Sequence, residues 1–314
     1  MGLRRVGAID CGTNSIRLLI ADVVDGKLRD VHREMRIVRL GQGVDATGQF
    51  APEALARTES ALADYAALMA EQSVSAVRMV ATSAARDAGN RDEFFAMTAR
   101  LLGKVVSGSV AEVITGTEEA ELSFRGAVGE LDAAAGPFVV VDLGGGSTEV
   151  VLGGTAVQAS FSADIGCVRL TERCLHSDPP TAAEVAQSRA VVRDGLAEAL
   201  RVVPVDGAHT WVGVAGTMTT LSALAQGMTE YDADAIHLSR IGFEDLLRVC
   251  EQLIGMTKQD RLALGPMHAG RADVIGGGAI IVEELAAVLG ERAGIGELVV
   301  SEHDILDGIA LSIA

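Results

Sequence analysis

The chain has 314 residues, of which 49% are hydrophobic and 22% charged, so a sizeable core can be buried and global disorder is excluded. A net charge of −17 argues against a general nucleic-acid binder and against a protein that coats anionic membranes. The four cysteines form no C-x-x-C pair, and no His/Cys cluster has zinc-site spacing. Scattered thiols, with no signal-peptide-like or membrane-spanning run, predict a cytoplasmic protein.

Apolar runs of strand length alternate with longer Ala- and Leu-rich stretches along the chain. The pattern predicts strands at 6–9, 16–24, 77–81, 139–141, 149–152, 211–214 and 298–300, and helices at 52–71, 90–102, 181–200, 217–225, 243–253, 272–289 and 304–313. Pro52 suits the first turn of its helix, and Asn90 to Glu93 has the pattern of a capping box. This alternation predicts an α/β protein.

One sequence pattern occurs twice, as a strand, an Asp-x-Gly turn and a second strand, with an offset of 132 residues. The matching residues are Asp10, Gly12 and Ser15 in the first copy, and Asp142, Gly144 and Ser147 in the second. A repeat at this long period is not typical of a solenoid. It predicts two similar α/β domains, each of which opens with a β-hairpin.

Turns of this composition suit a phosphate ligand. Glycine lets the backbone approach an anion with successive N–H groups facing it, and Ser or Thr adds a hydroxyl. An Asp beside the turn can hold Mg²⁺, which prefers few carboxylates and several waters. Gly216 and Thr217 form a third candidate, because there a strand leads into a helix N-terminus. Each turn alone is also explained as a tight structural joint, and it is the repetition that favours phosphate.

Six motifs together resemble the exopolyphosphatase / guanosine pentaphosphate phosphatase family, which has the acetate kinase–hexokinase–actin fold. They are Asp10-Cys-Gly-Thr-Asn-Ser-Ile-Arg17, Ala81-Thr-Ser-Ala-Ala-Arg86, Ile114-Thr-Gly-Thr-Glu118-Glu119, Asp142-Leu-Gly-Gly-Gly-Ser-Thr-Glu149, Gly166-Cys-Val-Arg169 and Gly216-Thr-Met-Thr-Thr220. The resemblance covers nearly the whole chain, and all six motifs follow in the family's order.

The resemblance implies two actin-like (ribonuclease H-like) domains with an interdomain cleft. Domain I would comprise residues 1–124 with the C-terminal helix, about 302–314, packing back on it, and domain II would comprise 125–301. The implied activity is exopolyphosphatase: release of terminal orthophosphate from inorganic polyphosphate with Mg²⁺, or Mn²⁺ as an alternative. A homodimer and a role in the stringent response are also implied by the resemblance only.

The candidate catalytic and metal-binding residues are acids within these motifs. Glu119 matches the family's catalytic Glu and is the predicted general base. Its neighbour Glu118 belongs to a capping-box pattern that begins at Thr115, which favours a structural role. Asp142 is assigned to Mg²⁺, and Glu149 to the metal or to positioning of the attacking water. Asp10 is a metal candidate because it occupies the equivalent position in the first repeat.

The candidate substrate-binding residues surround the glycine-rich turns. The predicted phosphate ligands are Thr13, Asn14, Ser15, Arg86, Gly144, Gly145, Gly146, Ser147, Gly216 and Thr217. Arginine can bind phosphate in a bidentate manner. Arg17, Arg169 and Arg271 are candidates for the distal part of the substrate. Since the whole chain is acidic, an anionic substrate requires such a local cluster of arginines, amides and metal.

Three other functions compete with this prediction. A guanosine pentaphosphate 5′-phosphohydrolase would use the same chemistry on a nucleotide, but no base-stacking aromatic stands out near 213–220. Trp211 lies in a predicted buried strand, and the only tyrosines are Tyr65 and Tyr231. A kinase of the same fold would need an acceptor site and an adenosine pocket. A non-enzymatic alarmone sensor or assembly protein would not need both Glu119 and Glu149.

Overall fold

The computed structural model describes residues 4–314, and its chain forms two compact units. Unit 1 comprises Met1–Gly126 and Ile305–Ala314, and unit 2 comprises Ala127–Asp304. Each unit contains one mixed sheet with helices packed on it, so the predicted α/β class is confirmed. Within residues 4–314, no helix combines the length and the apolar character that crossing a membrane requires.

Unit 1 contains a five-stranded sheet in the order β3-β2-β1-β4-β5. Its elements are β1 (Arg4–Cys11), β2 (Ser15–Val24), β3 (Lys27–Ile37), α1 (Val44–Thr47), α2 (Pro52–Glu71), β4 (Ala76–Ala81), α3 (Ser83–Asp87), α4 (Arg91–Leu102), β5 (Ala111–Val113) and α5 (Gly116–Val128). Strands β1, β4 and β5 are parallel, while β2 and β3 are antiparallel to their neighbours.

Unit 2 contains a six-stranded sheet in the order β10-β11-β9-β6-β7-β8. Its elements are β6 (Phe138–Leu143), β7 (Thr148–Gly153), β8 (Val157–Ala163), α6 (Cys167–Cys174), α7 (Ala182–Val202), β9 (Thr210–Val214), α8 (Ala215–Ala225), α9 (Ala233–Ile236), β10 (Ser239–Gly242), α10 (Phe243–Gly255), α11 (Lys258–Leu262), α12 (Ile275–Ala293) and β11 (Glu297–Val300). Short 3₁₀ helices occur at Ala133–Ala135 and Val205–Gly207.

The two sheets share one topology. In unit 2, strands β8, β7, β6, β9 and β11 repeat the order and directions of β3, β2, β1, β4 and β5 in unit 1. Both sequence repeats are β-hairpins, as predicted. Their registers also correspond, because Asp10 lies opposite Arg17 and Asp142 lies opposite Glu149.

The last helix, α13 (Ile305–Ser312), packs within unit 1. Leu306 and Ile309 join an apolar cluster with Val6 and Leu19 on the first hairpin. A Cβ atom on Gly308 would lie 2.0 Å from the carbonyl oxygen of Leu122, so α13 and α5 are in close backbone contact. The C-terminal helix therefore supports α5, whose first turn carries Glu119.

Several local predictions differ from the structure. The helix α4 exists, but the predicted capping box at its start is wrong, because the Asn90 side chain bonds to the backbone of Phe50 instead. Helix α12 begins at Ile275, three residues later than predicted. Strands β3, β5, β8 and β10 were not predicted. Strand β3 lies at the edge of its sheet and alternates charged and apolar residues only imperfectly, so its apolar signal is weak.

Candidate functional site

Backbone hydrogen bonds from a neighbouring segment fix one side of the first hairpin turn, Gly12 to Ser15 (turn 1). The Gly12 amide donates to the Ser15 carbonyl at 2.9 Å, as in a tight hairpin. The Thr13 and Asn14 carbonyls accept hydrogen bonds from backbone amides of the segment 38–41. In a trans peptide, C=O and the following N–H point in opposite directions. The amides of Asn14 and Ser15 therefore point away from that segment and can donate to an anion.

The Thr13 side chain is buried in turn 1, with its hydroxyl oxygen lacking a hydrogen-bond partner among residues 4–314. It packs against Gly41, where a Cβ atom would lie 2.3 Å from the Thr13 Cγ2 atom. Buried polar groups are normally paired, so an orphaned hydroxyl calls for a functional or structural reason. It is consistent with a turn that completes its hydrogen bonds with a ligand.

Asp10 and Arg17, the cross-strand pair beside turn 1, form an ion pair. The Arg17 Nη2 and Nε atoms donate to Asp10 Oδ2 at 2.7 and 3.0 Å, and both side chains are largely buried. The predicted metal role for Asp10 and distal-substrate role for Arg17 thus involve two residues that bind each other. An acid that already holds a guanidinium is a weaker candidate for a divalent cation.

Arg86 and Glu119 are brought together at the carboxyl ends of the parallel strands. Arg86 follows β4 and Glu119 follows β5, next to the end of β1 where turn 1 begins. Arg86 Nη1 donates to Glu119 Oε2 at 2.6 Å and to the Ile114 carbonyl at 3.3 Å. Arg86 and Glu119 thus form an ion pair. It favours the ionised carboxylate, the form that a general base needs.

Glu118, the residue before Glu119, has a structural role. Its amide donates to the Thr115 hydroxyl at 3.2 Å, as expected for a helix cap. Its carboxylate pairs with Arg78 at 2.5 Å rather than completing a capping box. Adjacent acids on one helical turn therefore face different partners, Arg78 for Glu118 and Arg86 for Glu119.

The second hairpin turn, Gly144 to Ser147 (turn 2), presents three amides to one side. The Gly144 amide donates to the Ser147 carbonyl at 3.0 Å, as in turn 1. The carbonyls of Gly144 and Gly145 accept from the first amides of α6, and that of Gly146 accepts from Arg169 Nε at 2.7 Å. Since all three carbonyls face α6, the amides of Gly145, Gly146 and Ser147 point the opposite way. Successive amides of this kind form an anion-binding concavity.

Asp142 and Glu149 flank turn 2 and lie directly opposite each other on β6 and β7. Both are buried, with Asp142 6% and Glu149 1% exposed. Glu149 Oε1 accepts a hydrogen bond from the Ser162 hydroxyl at 2.7 Å, and Ser162 is its cross-strand neighbour on β8. Two buried carboxylates on one face, one of them oriented by a hydroxyl, are the oxygen donors that Mg²⁺ prefers.

The start of α8 is a second candidate anion-binding region in unit 2. Thr217 is buried there, and Arg271 lies over Gly216, where a Cβ atom would be only 1.9 Å from the Arg271 Nη2 atom. Arg271 Nη1 also donates to the Thr220 hydroxyl at 2.9 Å. Ala215, at the strand-to-helix junction, has a positive φ of 69°. Such backbone strain in a non-glycine residue is often found at functional sites.

Two contacts near the predicted site do not follow from the sequence. Ser162 orients Glu149 but lies on β8, which was not predicted. Tyr231 is 44% exposed, interacts with Thr219 on α8 and donates from its hydroxyl to Glu302. In the sequence no base-stacking aromatic stands out near 213–220, whereas in the structure Tyr231 interacts with Thr219 on α8. Its signal was hidden because Tyr231 follows α8 in a segment with no strand or helix pattern.

The structure thus groups the predicted residues by unit. Unit 1 brings together turn 1, the Asp10–Arg17 pair and the Arg86–Glu119 pair. Unit 2 brings together turn 2, the acid pair and Arg169, with Gly216, Thr217 and Arg271 at the end of the neighbouring strand β9. Arg169, a candidate for binding the distal substrate, also contacts the turn by donating to the Gly146 carbonyl.

The architecture and these motifs agree with comparisons to known proteins. A model of the Ppx/GppA phosphatase family matches residues 19–313. The chain belongs to this family. Exopolyphosphatase 2 of Mycobacterium tuberculosis is 72% identical over 318 residues, which cover both chains completely.

Solved structures of other Ppx/GppA-type proteins have the same fold. An exopolyphosphatase-like protein has 44% sequence identity and a TM-score of 0.96, over 100% of this chain and 98% of that chain. An exopolyphosphatase from Cytophaga hutchinsonii has 27% identity and a TM-score of 0.86, over 99% and 97%. The predicted family and its two-domain, actin-like fold are therefore confirmed.

Proposed function

We propose that this protein is an exopolyphosphatase that hydrolyses the terminal phosphoanhydride of inorganic polyphosphate with a divalent cation. The choice of polyphosphate as the substrate rests on the 72% identity, over the full length of both chains, to a protein named exopolyphosphatase 2. The chemistry is supported by the geometry of turn 2, where three amides and two buried carboxylates meet.

The residues of unit 2 fit a divalent cation. Asp142 and Glu149 offer hard oxygen donors from opposite strands, and Ser162 fixes one oxygen of Glu149 as an outer partner. Mg²⁺ is the proposed ion, with Mn²⁺ as an alternative, because both prefer carboxylate and water ligands. When bound, such an ion neutralises charge on the phosphate oxygens during transfer.

The protein groups then have separate tasks. The amides of Gly145, Gly146 and Ser147 bind the terminal phosphate, and Arg169 and Arg271 bind charge on the following part of the chain. Glu119 orients a water molecule and accepts its proton as the water oxygen forms a bond to phosphorus. The anhydride bond breaks, and the shortened chain leaves with the electron pair. Arg86 keeps Glu119 ionised and in place.

This arrangement also resolves how a protein of net charge −17 accepts a polyanion. The cationic and amide groups are concentrated at the turns and at the start of α8, where short-range contacts dominate the overall field. Helix N-termini add partial positive charge at α6 and α8. Association should consequently be slower than with a basic protein, although binding at the site remains favourable.

A guanosine pentaphosphate 5′-phosphohydrolase is a second candidate, and Tyr231 is the observation that favours it. This exposed ring lies beside α8, near Thr219 and the Arg271 guanidinium. A base stacked on an aromatic ring gains about 1–3 kcal/mol. A Tyr231→Leu substitution should then raise KM for the nucleotide roughly 10-fold or more and leave KM for polyphosphate unchanged.

The test is orthophosphate release by the full chain with Mg²⁺, using short polyphosphate, long polyphosphate and guanosine pentaphosphate at equal terminal-phosphate concentration. We expect release from polyphosphate that EDTA abolishes and added Mg²⁺ restores. Release from the nucleotide alone would instead support a guanosine pentaphosphate 5′-phosphohydrolase. Release from none of them, by protein that is folded by circular dichroism, would contradict the proposal.

A further inference from the structure

A second group of possible metal ligands lies in unit 2, apart from the acids of turn 2. Glu130, His237 and His303 place one ligand atom each within 4.8 Å of one another. Glu130 Oε2 lies 3.3 Å from His237 Nε2, and Glu130 Oε1 lies 3.2 Å from His303 Nδ1. The two imidazole rings are 4.5 Å apart between centroids. We call these three residues the His–Glu cluster.

The separations in the His–Glu cluster are long for hydrogen bonds and suit a shared ion. Charge-assisted N–H···O contacts usually measure about 2.7–2.9 Å. Two ligands bound tetrahedrally at about 2.0–2.1 Å from one ion lie about 3.3 Å apart, close to the separation of each imidazole nitrogen from its own Glu130 oxygen. Solvent can also reach the group, since the side-chain exposures are 57% for Glu130, 19% for His237 and 33% for His303.

We propose that the His–Glu cluster binds a first-row transition-metal ion, and Zn²⁺ is the ion used to test it. Two imidazole nitrogens and one carboxylate favour Zn²⁺, Co²⁺ or Ni²⁺ over Mg²⁺, which prefers oxygen ligands. Three protein ligands leave one position for water. This site is therefore chemically different from the carboxylate pair Asp142–Glu149, and it does not depend on the proposed phosphatase function.

Binding through His237 requires one local adjustment. In the present arrangement its Nδ1 atom accepts a hydrogen bond from the Glu302 amide at 3.2 Å, which places the ring proton on Nε2. Coordination through Nε2 moves that proton to Nδ1, which breaks this long, neutral hydrogen bond and requires the ring to turn its Nδ1–H away from the Glu302 amide. One weak bond is exchanged for coordination by three ligands, so the exchange favours the ion when it is present.

The position of the His–Glu cluster indicates which segments of the chain a bound ion would connect. Glu130 follows α5, just after the chain enters unit 2, and His303 follows β11, just before the chain leaves it. His237 comes from the end of α9. An ion held by all three ties the entering and leaving segments of unit 2 together. Strand β11, which His303 follows, is two strands from β6 in the sheet, so β11 lies about 10 Å from the strand of Asp142.

Calorimetric titration of metal-free full-length protein with ZnCl₂, in excess Mg²⁺, tests this inference. Excess Mg²⁺ occupies carboxylate sites, so the titration reports sites that prefer nitrogen ligands. We expect one saturable Zn²⁺ site and at least ~10- to 100-fold weaker binding after His237→Gln or His303→Gln. His176→Gln, at an exposed histidine remote in sequence from the cluster, is the matched control and should bind as the wild type does.

A spectrum of the Co²⁺-loaded wild type gives an answer that does not depend on any variant folding. Intense visible absorption bands of four-coordinate Co²⁺, removed by stoichiometric Zn²⁺, would support the site. Absence of both a saturable Zn²⁺ isotherm and these bands would overturn the proposal. Equal Zn²⁺ affinity in wild type and in a folded His237→Gln/His303→Gln double variant would overturn it as well.

Discussion

The two hairpins share a topology but differ at one pair of positions. In unit 1 Asp10 lies opposite Arg17, and the two form an ion pair. At the equivalent positions of unit 2 Asp142 lies opposite Glu149, so two carboxylates face each other. Like charges directly opposite on a sheet are unfavourable without a counter-ion. The cation site that we propose in unit 2 thus lies at the hairpin position where unit 1 has an ion pair.

The same contrast extends to the residues around each turn. In unit 1 the predicted base Glu119 is held by Arg86, as Asp10 is held by Arg17. In unit 2 the Glu149 carboxylate is oriented by a neutral hydroxyl, that of Ser162. A neutral partner orients an acid without cancelling its charge. The proposed base Glu119 therefore has a charged partner in Arg86, whereas Glu149 accepts from the neutral Ser162 hydroxyl.

The largest effect is expected from Glu119→Gln, which keeps the size of the side chain and removes its basicity. Turnover at saturating polyphosphate should fall about 10²- to 10⁴-fold, the usual contribution of a general base, while KM changes little. Steady-state phosphate release measures both parameters. Glu118→Gln is the matched control, since Glu118 pairs with Arg78, and it should retain turnover. Equal losses in the two variants would contradict the assignment of the base.

The next largest effect is expected on the free energy of unfolding, in a comparison of Asp10→Asn with Asp142→Asn. The first leaves Arg17 largely buried without its charged partner and should lower the free energy of unfolding by about 2 kcal/mol. The second removes one of two facing acids and should lower it by less. Urea unfolding in EDTA measures both. With Mg²⁺ added, the wild type should gain stability that Asp142→Asn does not gain.

A larger loss of stability for Asp142→Asn than for Asp10→Asn, measured in EDTA, would break the comparison. It would mean that Asp142 contributes to the fold in the way that Asp10 does. The acid pair would then be a structural feature rather than a cation site.

A smaller effect is expected at Gly216, where Arg271 covers the start of α8. In Gly216→Ala the new Cβ atom would lie 1.9 Å from Arg271 Nη2, so the guanidinium must move and its bond to Thr220 is lost. A hydrogen bond from Arg271 to a charged phosphate contributes about 1.5–3 kcal/mol. Displacing the guanidinium should therefore raise KM for polyphosphate at least about 10-fold, with turnover retained. Gly207→Ala, where a Cβ meets nothing within 4 Å, is the control. Unchanged KM in Gly216→Ala would exclude Arg271 from substrate binding.

What the sequence predicts well here is local or repeated. The hairpins follow from an alternation of strand and Asp-x-Gly turn that occurs twice, and the long helices α2 and α7 follow from their apolar periodicity. Helix α7 even has the full capping box, with Thr181 and Glu184 bonded reciprocally.

What the sequence does not predict depends on register and on distant partners. Arg86 pairs with an acid 33 residues away, because β4 and β5 end side by side in the sheet. Ser162 becomes a partner of Glu149 only when β8 pairs with β7 in one register. Tyr231 reaches α8 through a turn that no periodic pattern describes. Each contact is set by tertiary packing, which a linear pattern does not contain.

The smallest effect should come from Ser162→Ala, and it examines the difference between the two hairpins most directly. Loss of the hydroxyl removes the 2.7 Å hydrogen bond to Glu149 Oε1 and leaves the carboxylate itself in place. Outer partners of metal ligands contribute about 10- to 100-fold in metal affinity, and here water can replace the hydroxyl, so about 10-fold weaker Mg²⁺ activation is expected. A Mg²⁺ titration of phosphate release measures it, with Ser160→Ala, two residues earlier on β8, as control. If instead Ser162→Ala reduces turnover at saturating Mg²⁺ and leaves the Mg²⁺ midpoint unchanged, Glu149 positions water rather than metal. The neutral partner in unit 2 would then serve the same purpose as the arginines of unit 1, which is to hold a catalytic acid in place.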